Sequence, residues 1–243
     1  MEDRKRVVGG LGRLTACGLA ILGLAQGAVL LPDAAVLQAS VERTVDAYVL
    51  AAAELGRNAG SPPEILVANT PQLSYYSPQT NRIVIPYWPP QESTVAFFLA
   101  LTDGDEALAR ELFVELFDWF LVAHELTHWL MTARGVETDH YTSEAMANDG
   151  AVAFYNLFPE SEERFLRLDA LLAAALERLA DPTPGSLDPV TYFNAFYPAL
   201  TGNPRQYGYF QFRFIRDSIA RRQELEFASF VAALPPIGAV TTP

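Results

Sequence analysis

Leu121-Val122-Ala123-His124-Glu125-Leu126-Thr127-His128-Trp129-Leu130-Met131-Thr132-Ala133-Arg134 is the stretch on which the reading of this chain turns. Neither glycine nor proline interrupts the chain from Asp105 to Arg134, and strong helix formers fill it. A helix is therefore predicted over that span, with Gly135 as its C-cap. Side chains four apart share a helix face, so the imidazoles of His124 and His128 project toward one point. The chain has 3 histidines, and two of them fall at this spacing. Two imidazoles on one face supply half of a tetrahedral zinc site. Glu125, beside the first, can reach a water in such a site without ligating the metal, as a general base must. The apolar neighbours Leu121, Val122, Leu126, Trp129 and Leu130 suit a dry pocket. The competing reading is two core histidines, each of which then needs a buried partner.

A catalytic zinc wants a third protein ligand and an open position. Glu137, Asp139, His140 and Glu144 follow the pair. The first two fall in the turn, too near the helix end to reach back. His140 is better placed, but Glu144 is favoured, because it opens a second helix predicted from about Ser143 to Phe158 that can pack antiparallel to the first. Asn148, one turn later on the same face, can hydrogen-bond a ligand imidazole. The plainer role for Glu144 is a carboxylate complementing a helix N-terminus.

The two segments His124–His128 and Ser143-Glu144-Ala145-Met146-Ala147-Asn148-Asp149 together resemble the gluzincin type of zinc metallopeptidase. The resemblance spans residues 81–155. It implies one zinc ion per chain held by His124, His128 and Glu144, with Glu125 polarising water for hydrolysis of a peptide or protein substrate. It also implies Asn148, or Asp149 beside it, as the residue orienting the first histidine. The strand expected over 81–87, with Ile83, Val84 and Ile85 at its centre, is similar to the edge strand that pairs with an extended substrate in such clefts, and Pro86, lacking an N–H, suits an edge. The oxyanion-stabilising role falls first to His140, with Tyr141, Tyr207 and Tyr209 as alternatives. Two other readings stay open: a structural zinc site closed by His140 as fourth ligand, and a zinc hydrolase of a non-peptide amide or ester.

The rest of the chain frames this site. At 243 residues, 50% hydrophobic and 19% charged, it can bury a full core. The net charge of −12 leaves an acidic body, since Arg4, Lys5, Arg6 and Arg13 crowd the first thirteen residues. Such a body repels phosphate backbones and argues against nucleic acid as a partner. Residues 1–31 read as an export signal, either a cleaved signal peptide or an anchor through the uncharged run 14–31; Leu14-Thr15-Ala16-Cys17 looks like a lipobox, but the apolar run continuing past Cys17 argues against lipidation. Each version places the body in the periplasm or outside the cell. Cys17 is the single cysteine, so no disulfide staples the fold. Residues 33–243 read as one α+β domain: a small N-terminal sheet, then a predominantly helical zincin-like remainder, with a frayed tail over 234–243. Trp88, Phe97 and Phe98 suit a specificity pocket or the core equally. Oligomeric state is not legible.

Overall fold

The computed structural model describes residues 34–57 and 59–236. The export segment 1–31 and the tail 237–243 lie outside them. No helix among the described residues is long and apolar enough to cross a membrane.

The molecule is mostly helical, with a three-stranded mixed sheet near the N-terminus. Helix α1 (Ala34–Glu54) buries Leu37, Val41, Val45, Tyr48 and Ala52, a stripe at the helical period that faces the core. The sheet comes next as β1 (Glu64–Val67), β2 (Tyr75–Ser77) and β3 (Arg82–Ile85) in the order β1-β3-β2, with β1 parallel and β2 antiparallel to β3. The expectation that residues 83–85 form a substrate edge is therefore corrected. β3 is the central strand, paired on both sides, and Ile83, Val84 and Ile85 are buried. Pro86 is compatible with this because it falls just past the last ladder residue, where its missing N–H costs no bond. The outer strand on the site's side is β2.

Helices α2 (Glu92–Leu101) and α3 (Glu106–Phe113) lead into a π-helical segment, Val114–Phe120, which runs directly into α4 (Leu121–Ala133). Asp105 caps α3 through the Leu108 N–H, and Gly135 (φ +64°) lies just past α4 in the left-handed region that a helix-ending glycine supplies at no steric cost. The predicted helix 105–134 is thus a chain of three segments. α5 (His140–Tyr155) starts earlier than Ser143, because Asp139 caps it through the Thr142 N–H. Beyond it come α6 (Ser161–Leu176), α7 (Pro189–Thr201), α8 (Pro204–Ala220) and α9 (Phe227–Ala233). Leu234 is packed into the core, so the chain is still held at the point where fraying was expected to begin. Neither α2 nor α9 is anticipated by the periodicity, since both are short and apolar nearly all round.

Helices α4 and α5 pack closely enough to bring their side chains to one point. A Cβ on Gly150 of α5 would stand 2.5 Å from Thr127 Cγ2 and 2.8 Å from Phe230 Cζ, so only glycine permits this approach. Thr127 in turn donates to the Ala123 carbonyl at 2.8 Å, and its oxygen accepts from the Tyr48 hydroxyl of α1 at 3.0 Å. α1 and α5 thereby back the motif helix from two sides.

Candidate metal centre

His124, Glu125 and His128 project from α4 as a group whose potential ligand atoms all lie within 4.8 Å of one another. Glu144 comes in from the first turns of α5. His124 Nε2 and His128 Nε2 are 3.2 Å apart, and Glu144 Oε2 stands 3.4 Å from the first and 3.7 Å from the second. Ligands at ~2.0–2.1 Å around a tetrahedral zinc are separated by roughly 3.3 Å, so the three atoms match one face of that tetrahedron. This donor set, two imidazole nitrogens and one carboxylate oxygen, fits a small divalent transition metal.

The tautomer suits the same role. Asn148 is fully buried and donates its Nδ2 to the Glu144 carbonyl at 2.9 Å. Its Oδ1 is left facing His124 Nδ1 at 3.1 Å, and an acceptor there fixes the proton on Nδ1. The Nε2 lone pair then points into the triangle. Burial alone would lift the Glu144 carboxyl, but hydrogen bonds and charge from His124 and His128 hold it well below the usual carboxylate range. Burial likewise pulls His128 down, yet Glu144 and then Glu125 outweigh it and the imidazole is pushed up. Both directions express one attraction, between the Glu144 carboxylate and the imidazoles beside it.

Glu125 turns away from the triangle's base toward the sheet. Its Oε1 accepts from Ser74 Oγ at 3.0 Å and its Oε2 from the Tyr76 N–H at 2.8 Å. The outward N–H of strand β2 therefore positions this carboxylate. On the opposite side, α7 and α8 close over Glu144. Tyr197 donates its hydroxyl to Oε1 at 3.0 Å, and Gln211 Nε2 donates to Oε2 at 2.6 Å and to the Tyr207 hydroxyl at 2.7 Å. Burial, then the nearby Glu144 charge, raises both tyrosines, so they stay protonated.

The remaining sequence candidates separate cleanly. His140 is exposed and lies flat on the Tyr197 ring, centroids 3.9 Å apart and planes 4° off parallel, so it reaches the site through that tyrosine. Asp149 points away from His124 and is taken by Ser218 (2.6 Å) and Arg221 (2.8 Å). Tyr141 packs edge-on against Phe193 and Phe214, and Tyr209 donates to Asp181 at 2.9 Å. Asp149, Tyr141 and Tyr209 are corrected as site residues on those grounds. Tyr207 shares a cleft of about 640 Å³ with His124 and Glu125. Sequence reading missed Ser74, Tyr197 and Gln211. The one signal in the chain was the Tyr207–Gln211 spacing of four, which puts both on one face of α8. No family model, curated protein or solved structure matches the chain, and its chemistry has to be read from this geometry.

Proposed function

We propose that the chain is a zinc-dependent peptidase of gluzincin-like design. The observation that carries this is the triangle of His124, His128 and Glu144, with Glu125 held beside it and a cleft open next to both. His124, His128 and Glu144 would hold the zinc ion, which when bound would supply a Lewis acid and lower the pKa of a neighbouring water. Glu125, oriented by Ser74 and the Tyr76 N–H, is placed to accept a proton from water and to return it to the leaving nitrogen. The Tyr207 hydroxyl accepts from Gln211 and shares a hydrogen bond with Tyr197; turned toward the cleft, its proton would suit the oxygen that gains charge during attack. Tyr197 and Gln211 orient Glu144, and Asn148 orients His124. His140, stacked on Tyr197, contributes packing rather than the fourth ligand of a closed structural site. An extended substrate enters the cleft past Ser74 and Tyr75, beside the Glu125 that the Tyr76 N–H holds. The basic start and the uncharged run 14–31 support export of this activity.

The test is metal content and turnover of the chain purified without added metal. About one zinc per chain is expected, and Glu125→Gln should keep the metal while losing about 10²–10⁴-fold in cleavage of end-blocked peptides. A chain that takes up no zinc on exposure to it, or a Glu125→Gln variant of full activity, overturns the reading.

A further inference from the structure

The cleft beside the candidate metal site is lined on one side by α2, the π-helical segment and α8, through Phe97, Phe98, Leu116, Phe117 and Phe212. Besides His124 and Glu125, no charged side chain lines it among the described residues. Away from those two groups, nothing there would pair with the carboxylate or ammonium of a chain terminus, and burying either unpaired is costly.

Gly208 is part of the same wall. It lies in the interior of α8 outside the positive-φ region, so the backbone does not require glycine. Packing does not require it either. A Cβ there would meet Phe97 Cζ at 3.4 Å, Phe212 Cζ at 3.9 Å and Leu179 Cδ1 at 4.0 Å, all ordinary contacts. Gly150 is the contrasting case, where a Cβ would collide at 2.5 Å. Glycine inside a helix is a poor choice on propensity, and at position 208 its one visible consequence is space between aromatic rings. Phe97 and Phe98 stand edge to face at 5.4 Å, and Phe98 and Phe117 at 6.0 Å, an arrangement that a further ring can join.

We propose that this cleft receives an uncharged aromatic side chain from an internal residue of the substrate, and that Gly208 sets its depth. The inference rests on the peptidase reading for the identity of the substrate, but its test does not depend on turnover. Fluorescein-labelled, end-blocked decapeptides with Phe, Ala or Lys at the central position are titrated into the full-length Glu125→Gln chain, and fluorescence anisotropy is read. The Phe peptide should bind at least about tenfold tighter than the Ala or Lys peptide, as burial of one ring implies. Gly208→Leu should abolish the preference. Gly208→Ala should keep it and unfold about 2–4 °C higher, which also serves if the leucine variant does not fold. Equal binding of the three peptides, or an undiminished Phe preference in a folded Gly208→Leu chain, overturns the inference. A parent chain that prefers the Phe peptide yet cleaves none leaves the cleft assignment standing and removes the peptidase reading; cleavage without preference does the reverse.

Discussion

The two sides of the candidate metal site are built in different ways. On one side, His124, Glu125, His128, Glu144 and Asn148 come from consecutive helices, and the His124–Asn148 bond spans 24 residues. On the other, Tyr197 and Gln211 arrive from α7 and α8, 53 and 67 residues from the Glu144 they hold. The first side supplies the donor atoms, and the second fixes how one of them points. Identity of the candidate ligands is a local property of a helix pair, whereas the orientation of Glu144 depends on the hydrophobic cluster of Phe193, Leu200, Phe210 and Phe214, which forms only when the chain is folded.

The sharpest way to break this comparison is Glu144→Ala. It leaves a two-histidine site, and metal measured by elemental analysis should fall from about one ion per chain to background. Next comes Gly150→Ala, which attacks the helix pair without touching a ligand. The crowded Cβ should cost about 1–3 kcal/mol in chemical denaturation, and because α5 must shift, zinc affinity should fall with it. Removing the distant side is milder. Gln211→Leu or Tyr197→Phe should leave the fold intact and weaken zinc about 10–100-fold in a competition titration with a chromogenic chelator. If those variants bind zinc as tightly as the parent chain, the α7–α8 wall has no part in tuning the site.

The smallest expected effect on the metal is at Asp118 in the π-helical segment, which separates stability from the site. Burial raises this carboxyl to about 7; Arg164 lowers it and Glu115 raises it further. Its folded value lies above its unfolded one, so the folded state favours the protonated acid. The stability it contributes is complete below about pH 4 and is lost as pH rises toward and through 7. Asp118→Asn should therefore match the parent at low pH, exceed it above pH 7 by up to about 4 kcal/mol, and bind zinc unchanged. Thermal melts across pH 4–8 check the first two, and the chelator titration checks the third.

Much of the molecule is legible in the sequence for a physical reason. Helical period and spacing act over a few residues, so α1, the motif helix and the placing of two imidazoles on one face come from local rules. The α+β class is read in the same way. The strand order was not, because β3 carries the signature of any buried strand, Ile83-Val84-Ile85, and which side it pairs on is decided by where β2 returns. The same limit explains Asp149 and Asn148. Neighbours on one helix point about 100° apart, and only the crossing of α4 on α5 selects the one that meets His124.

By itself the sequence determined the pair of imidazoles on one helix face with Glu125 beside them, the acidic body and the small sheet ahead of a helical remainder, since each is written in composition or in spacing shorter than two helical turns. Only the tertiary structure decided that β2 rather than β3 faces the site, that Tyr197 and Gln211 hold Glu144, and that Gly208 lines an aromatic cleft beside Glu125. Those depend on which surfaces are buried against one another, and burial is a property of the whole chain.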